Sequence, residues 1–261
     1  NTVAHGSFAP DSKWLAYSSR KDGNWVDFNQ SDLMIAPFDA ATKKFGAPKT
    51  LMASGGRVKT YPTFSPDSKW LAYMDATQST RPGKGDLRMM KVDGTGDVAL
   101  NNACAAGIAD VDKSVNFEPT FGPVLSGGYF WMVFVSSRQY GNRINKTFDA
   151  FRDKCGDWAT TPCRTKQLWV TAIDADPKPG VDPSHAAFWL PGQDINDQNM
   201  RGYWALDPCK GLGEGCEAGF ECCEGACKSE DGKSPKVCVK PPPGTCKNVG
   251  DKCEATTDCC D

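Results

Sequence analysis

The sequence predicts an all-β protein in which repeated four-stranded units are followed by small disulfide-rich modules. Two observations point to the strands: a ten-residue phrase recurs along the first 200 residues, and short apolar runs alternate with turns in a chain that contains 26 Gly and 18 Pro. A third observation marks the modules, because ten of the thirteen cysteines follow residue 206. Long runs of Ala, Leu, Glu and Lys are missing, which argues against a helical bundle.

The recurring phrase is FAPDSKWLAY at residues 8–17 and FSPDSKWLAY at residues 64–73. The two copies are 56 residues apart. A looser third copy begins at residues 119–123, PTFGP, and continues after a longer turn as WMVFVSSR at residues 131–138. Self-similarity at a fixed spacing indicates a repeat architecture, so the sequence predicts three units.

Each phrase predicts a β-hairpin, since Pro-Asp-Ser-Lys is typical of a turn between two apolar strands. A third strand is expected further along each unit, and a weaker fourth strand after it. The predicted third strands are residues 33–38, 87–92 and 168–173, and the predicted fourth strands lie near residues 50–51, 98–100 and 187–190. Four short strands per unit are the composition of a β-propeller blade.

These phrases resemble the TolB-type, WD-like propeller repeat over residues 3–206, with units at about 1–58, 59–116 and 117–206. Ser12 and Ser68 stand where that repeat usually has Gly, and the third unit lacks its Asp and Lys. Since known propellers have roughly four to eight blades, three units lead us to expect either a longer propeller with blades upstream or self-association. A generic antiparallel sandwich with a duplicated hairpin is the alternative fold.

In a propeller, the second-to-third and the blade-to-blade connections emerge on one face, here called the long-loop face. The longest connections fall there, at residues 20–32, 75–86 and 138–166, so this face is the expected binding surface. Cys155 and Cys163 are expected to be bridged within the largest connection, which leaves Cys104 as the odd thiol. Aromatic and Arg side chains are usual interface anchors, and the candidates are Trp25, Arg81, Tyr140, Arg143, Phe151, Arg152, Trp158 and Arg164. Packing of these aromatic residues within their own loop is the alternative.

A separate module is predicted at residues 207–239, where the cysteine spacing is C-x6-C-x5-C-C-x3-C-x10-C. The spacing resembles the inhibitor cystine knot, or knottin, framework. The resemblance implies the pairs Cys209–Cys223, Cys216–Cys227 and Cys222–Cys238. Zinc is the competing explanation, but the tail has neither paired C-x2-C hooks nor a His.

A Pro-rich spacer at residues 240–245 leads to residues 246–261, which repeat the start of the same cysteine spacing. By the same pairing order Cys246 would bond to Cys260. Cys253 and Cys259 would then lack their usual partners, which leaves a makeshift bridge between them, intermolecular pairing or missing downstream sequence.

Other kinds of site are disfavoured by composition and motif. The balance of 30 basic against 32 acidic side chains does not suggest nucleic-acid binding, and no apolar run reaches the length of a membrane span. The chain has no G-x-S-x-G motif and only two histidines, so a Ser-His-Asp triad is not expected. Asp110 and Asp112 imitate the start of a calcium loop, but Val115 occupies its Gly position. No metal and no cofactor are predicted.

The sequence therefore predicts a binding protein rather than an enzyme. Thirteen cysteines suit an oxidising compartment, so an extracellular, cell-surface or periplasmic location is expected. The TolB-type resemblance implies recognition of a protein or a glycan at a bacterial envelope. Two alternatives remain: the propeller portion of a larger hydrolase, whose catalytic domain would precede Asn1, and a knottin-like inhibitor or toxin activity in the tail.

Overall fold

A computed structural model describes residues 2–24, 27–79, 84–104, 113–138, 166–194, 199–205, 209–217, 221–222, 226–229 and 235–240. The chain divides into two compact units, Asn1–Trp204 and Ala205–Asp261. The first unit contains the repeated strands, and the second contains the cysteine-rich tail.

The first unit contains three antiparallel blades, each of which pairs its strands in chain order. In blade 1 the order is β1 (Thr2–Phe8), β2 (Trp14–Arg20), β3 (Ser31–Asp39) and β5 (Lys49–Met52), while the short β4 (Lys44–Phe45) pairs with the far end of β3. In blade 2 it is β6 (Val58–Phe64), β7 (Trp70–Ala76), β8 (Gly85–Lys91) and β9 (Val98–Ala99), followed by the one-turn helix α1 (Asn101–Cys104). In blade 3 it is β10 (Asn116–Ser126), β11 (Tyr129–Ser136), β12 (Gln167–Asp174) and β13 (Phe188–Trp189). The prediction of an all-β fold with four-stranded blades is confirmed.

Neighbouring blades are joined by equivalent backbone contacts at the start of their strands. Ser31 forms a parallel bridge to Val58, and Gly85 forms the corresponding bridge to Val115. The first strands of adjacent blades also lie side by side, because the amide of Phe121 donates to Oγ1 of Thr63 at 3.1 Å. The first strand of each blade is therefore its inner strand, next to the corresponding strands of its neighbours.

The hydrophobic core lies between the blades, and the alternation of each strand supplies both sides of it. In β7, Leu71 and Tyr73 pack against blade 1, whereas Trp70 and Ala72 pack against blade 3. Trp70 is 7% exposed, which agrees with a packing role for the Trp of the repeated phrase. Within the hairpin turns, Ser12 and Ser68 both have φ of 59°, the left-handed conformation for which the repeat usually has Gly.

The second unit is held together chiefly by disulfides and one small antiparallel ladder. Its strands are β14 (Ala226–Lys228) and β15 (Val237–Val239). Cys216 is bonded to Cys227 and Cys222 to Cys238, which are the second-to-fifth and third-to-sixth pairs of the module. Cys209 is also disulfide-bonded, while its expected partner, Cys223, lies outside the described residues.

Within the described parts of the chain, none of the helices has the length and apolar character needed to cross a membrane.

Candidate functional site

The eight side chains expected to form the binding surface lie outside the residues that the structure describes. They are Trp25, Arg81, Tyr140, Arg143, Phe151, Arg152, Trp158 and Arg164. The same holds for Cys155, Cys163, Cys246, Cys253, Cys259 and Cys260, so their expected pairing stays a prediction. What the structure describes of the long-loop face is the base of the connections and the inner strands beneath them.

The bases of the long connections in blades 1 and 2 are bonded to each other. The amide of Ser79 donates to the carbonyl of Phe28 at 2.8 Å, and the amide of Phe28 donates to Oγ of Ser79 at 2.9 Å. Phe28 is fully buried at this junction. The two connections therefore form one continuous base on the long-loop face.

The inner strands share an unusual backbone feature, a β-bulge with a residue of positive φ. His5 in β1 has φ of 46°, Tyr61 in β6 has 50° and Glu118 in β10 has 54°. The ladder to the second strand shifts register at each of these positions. Bulges commonly re-aim a side chain, and a bulky non-Gly residue at positive φ is a conformational outlier.

The bulge belongs to the repeat, but the side chains that it carries do not repeat. For a residue other than Gly, the left-handed conformation is roughly 1–2 kcal/mol less stable than the right-handed one. Gly at these positions would relieve most of this strain. Three chemically different side chains, an imidazole, a phenol and a carboxylate, are nevertheless kept there. Because all three blades keep a strained non-Gly residue at this position while the side chain differs, we infer that these side chains have a function.

His5 and Tyr61 stack directly on each other across the boundary between blades 1 and 2. Their ring centroids are 4.0 Å apart with an interplanar angle of 12°. Nδ1 of His5 lies 2.6 Å from Oγ1 of Thr60, which also accepts a hydrogen bond from the Ser18 hydroxyl at 2.9 Å. Together these contacts hold the imidazole in one orientation.

Arg201 approaches the same place from the segment that follows blade 3. Its Nε donates to Oγ1 of Thr120 at 2.9 Å and one terminal nitrogen donates to the carbonyl of Pro119 at 3.3 Å. Its guanidinium lies 5.7 Å from the ring centroid of Tyr61. We call His5, Tyr61, Glu118, Lys166 and Arg201 the inner-strand cluster.

Glu118 and Lys166 complete this cluster on the side of blade 3. Lys166 Nζ lies 3.5 Å from Oε1 of Glu118, and both side chains are less than 10% exposed. Lys166 also lies 4.9 Å from the ring centroid of Phe117. Because opposite charges buried together offset part of their desolvation, this pair is a built feature of the inner strands rather than a loose surface contact.

A second buried ion pair marks the corresponding end of blade 2. Asp75 contacts Lys59 Nζ at 2.6 Å and Arg57 Nε at 2.5 Å. In blade 1, Lys21 contacts Asp32 at 2.8 Å. Each of the three blades therefore has at least one ion pair between a cation and a carboxylate at the base of the long-loop face.

The electrostatic environment keeps His5 neutral. Burial, and secondarily the positive charge of Arg201, lowers the pKa of His5 from 6.5 to about 4. At neutral pH the imidazole is therefore an uncharged hydrogen-bonding ring stacked beside a cation. This arrangement suits recognition of an anionic or aromatic group.

Metal binding finds no support among the described residues. The sulfurs of Cys216, Cys222 and Cys238 lie within 4.8 Å of one another. All three are oxidised in disulfides, whereas a metal ligand would have to be a thiolate.

Cys104, the odd thiol of the blades, is unbonded and buried at the last position of α1. Burial raises its pKa to about 12, so it is protonated and unreactive in the folded protein. Its packing against Leu87 and Phe134 in the core between blades 2 and 3 makes it a structural residue.

Sequence reasoning missed the inner-strand cluster. A signal was present for two of its members, because His5 and Tyr61 show the same 56-residue spacing as the repeated phrase. Glu118 also precedes Pro119 as Tyr61 precedes Pro62. No comparable pattern marks Arg201, which follows the last blade and reaches the cluster only through the tertiary fold.

No family model matches this sequence, and no curated protein is similar to it. Solved structures show a weak likeness to this chain, and three of them are described here. A putative TolB from Agrobacterium tumefaciens is 19% identical over 74% of this chain and 52% of its own, with a TM-score of 0.37. The hydrazine synthase of Kuenenia stuttgartiensis is 13% identical over 77% of this chain and 56% of its own, with a TM-score of 0.34. An ancestral GH74 enzyme is 8% identical over 72% of this chain and 27% of its own, with a TM-score of 0.33. The chain thus spans about half or less of the length of each.

Proposed function

We propose that this chain is a non-enzymatic binding protein that works outside the cytoplasm and holds a protein or glycan ligand on its long-loop face. The ligand would contact the long connections and reach the inner-strand cluster beneath them. The tail would be a compact, disulfide-stabilised appendage with a knottin-like framework.

The observation that carries the proposal is the inner-strand bulge, which presents His5, Tyr61 and Glu118 from three successive blades. A common backbone with varied side chains is the arrangement expected of a scaffold whose chemistry is adapted at fixed positions. Aromatic and Arg side chains at such a place are typical anchors of an interface. The neutral state of His5 at pH 7 also favours binding over general acid catalysis.

The location is supported by the oxidised tail. Two disulfides are formed within a segment that has few large apolar residues to bury. Such bonds persist in oxidising compartments and are rare in a reducing cytosol. They also favour the tail-directed alternative, an inhibitor or toxin activity, as the second candidate function.

A binding screen with matched variants tests the proposal. The full chain is screened on a glycan array and on a peptide array, and each ligand found is then titrated against Tyr61→Ala and Lys69→Ala. Lys69 lies in the tight turn between β6 and β7, on the opposite face, and 77% of its side chain is exposed. We expect Tyr61→Ala to lower affinity at least about tenfold and Lys69→Ala to leave it unchanged.

Three results would contradict the proposal. Equal affinities of the two variants would show that binding does not depend on the inner strands. A ligand recovered in cleaved form would favour the hydrolase alternative. A ligand whose binding is lost when Cys222 and Cys238 are both replaced by Ser, while Tyr61→Ala has no effect, would move the activity to the tail.

A further inference from the structure

The guanidinium of Arg201 is held in place by neutral groups and has no carboxylate partner among the described residues. Its Nε and one terminal nitrogen donate to Thr120 and Pro119. The other terminal nitrogen makes no hydrogen bond within the described part of the chain. Glu118 is adjacent to Pro119, but its carboxylate is engaged by Lys166.

Among the described residues, no opposite charge compensates this half-buried positive charge. A charge that is partly removed from water is costly unless an opposite charge replaces the lost hydration. The remaining donors of a planar guanidinium match a carboxylate in a two-point fork. The existing hydrogen bonds of Arg201 thus orient its guanidinium, and its other N–H groups can donate to a ligand carboxylate.

Apolar and aromatic surface surrounds this charge. Tyr61 lies on one side, and the ring of Tyr203 lies 5.5 Å from the guanidinium carbon. Met200, Tyr203 and Trp204, which adjoin Arg201 in the chain, are 68%, 77% and 38% exposed. Exposed Met, Tyr and Trp beside Arg is the composition of a protein-interface core.

From these observations we infer that Arg201 is a receptor for one carboxylate, the Asp or Glu side chain of a protein partner in which apolar residues flank the acid. The inference rests on the proposed function and specifies its ligand. Tyr61 and Tyr203 would pack against the apolar neighbours, while Arg201 would form the fork with the carboxylate.

A single acidic side chain fits better than an extended polyanion such as an acidic polysaccharide. Three cations at the base of this face are paired, Lys59 and Arg57 with Asp75 and Lys166 with Glu118. The chain as a whole carries a net charge of −2. A polyanion needs a row of cations free to bind it, whereas Lys59, Arg57 and Lys166 on this face are already neutralised by carboxylates.

His5 provides a local reporter for the test. The chain has two histidines, so nitrogen-15 imidazole spectra contain two assignable sets of signals. His5 stacks on Tyr61 within the cluster, whereas His185 contacts Asp174 at 2.8 Å in blade 3. A ligand at Arg201 should shift the His5 signals at pH 7 and leave those of His185 in place.

The probes are the blocked peptides acetyl-Leu-Glu-Leu-amide and acetyl-Leu-Gln-Leu-amide, and separately glucuronic acid, each titrated into the full chain. We expect the Glu peptide to shift the His5 signals saturably, with a Kd on the order of 1 mM for so small a ligand. The Gln peptide and glucuronic acid should shift them at least about tenfold more weakly. Equal shifts from the Glu and Gln peptides, or no shift from either, would overturn the inference. A stronger response to glucuronic acid would replace the protein partner with an acidic sugar.

Two variants assign the effect to the guanidinium. Arg201→Lys keeps the positive charge but loses the two-point hydrogen bonding, and should lower the affinity for the Glu peptide at least about tenfold. Arg57 lies on the same face and is paired with Asp75, so Arg57→Lys should leave the affinity for the Glu peptide unchanged. Unchanged binding by Arg201→Lys would contradict the inference. If array ligands still depend on Tyr61 but are indifferent to Arg201→Lys, the inference fails while the proposed function stands.

Discussion

At His5, burial and the neighbouring Arg201 act on the same proton equilibrium. The pKa of this imidazole is about 4 in the folded chain against 6.5 in the unfolded chain. Between these two values the unfolded chain binds the additional proton, so protonation favours unfolding. The contribution to stability is present above pH 6.5 and is lost as the pH falls toward 4.

We therefore predict that His5→Asn reduces the acid sensitivity of the blades. From pH 6.5 to 4 the wild-type free energy of unfolding should lose at most about 3 kcal/mol through His5, less whatever solvent screening removes. Asn tolerates the positive φ at this position and has no proton to gain in this range. Urea unfolding across this pH range measures the difference. His185→Asn is the control, and a variant of His5 with an unchanged pH profile would disprove the assignment.

Asp75 gives a second prediction at the residue scale. Its carboxylate forms ion pairs with both Lys59 and Arg57. The Lys59 side chain is 7% exposed and the Arg57 side chain is 40% exposed. Asp75→Asn should cost about 3 kcal/mol because Lys59 stays buried without an opposite charge. The double variant Lys59→Met with Asp75→Asn should recover most of the loss, since Met fills the space without a charge. Equal stabilities of the single and double variants would contradict this reasoning.

At the scale of the strands, the two copies of the repeated phrase, residues 8–17 and 64–73, lie in different environments. Phe64, the last residue of β6, is 4% exposed because blade 1 covers it, whereas the equivalent Phe8 in β1 is 52% exposed. Among the described aromatic residues, Phe8 contacts the rings of Phe38 and Phe45, at 5.2 Å and 6.2 Å between centroids. The same residue type in the same strand position therefore contributes differently to stability.

The corresponding prediction compares two truncations. Phe64→Ala should lower the free energy of unfolding by about 3–5 kcal/mol, because it opens a cavity in the core between blades 1 and 2. Phe8→Ala should cost less than about 1 kcal/mol, as expected of an exposed residue. Denaturant titration at matched protein concentration measures both. Equal costs would contradict this prediction and would show that Phe8 is covered in solution by another blade or a second copy.

At the scale of the whole molecule, the two units depend on different interactions. The blades bury apolar side chains between sheets, and their described cysteine, Cys104, is an unbonded thiol. The described part of the tail relies on bridges that close short loops, such as Cys216–Cys227 with a separation of 11 residues. Each such bridge contributes roughly 2–4 kcal/mol.

Reduction should therefore unfold the tail and spare the blades. After dithiothreitol, the amides of Cys216 and Cys238, which bond to the carbonyls of Lys236 and Glu214, should lose their protection from hydrogen exchange. Cys104 should stay unreactive toward iodoacetamide until urea unfolds the blades, because it is 2% exposed. Labelling of Cys104 on reduction alone would show that the stability of the blades depends on disulfides.

Much of the fold could be predicted because its signals are local. The alternation in WLAY, the turn residues of Pro-Asp-Ser-Lys and the cysteine spacing each act over a few residues. Strand positions such as β7 and β8 lie where these patterns placed them, and the two described bridges of the tail join cysteines that the knottin resemblance implies as pairs. The candidate site could not be predicted in the same way, because its members come from strands and segments far apart in the chain.

The sequence by itself determined that the chain contains repeated β-hairpins followed by a cysteine-rich segment. The tertiary structure alone decided that His5 stacks on Tyr61, that Lys166 neutralises Glu118 and that Arg201 lies beside Tyr61 with no carboxylate partner among the described residues. The physical reason is that strand formation depends on neighbouring residues, whereas these contacts depend on how blades pack and where the bulges turn each side chain. Charge balance and burial at the cluster, and hence the pKa of His5, follow only from that packing.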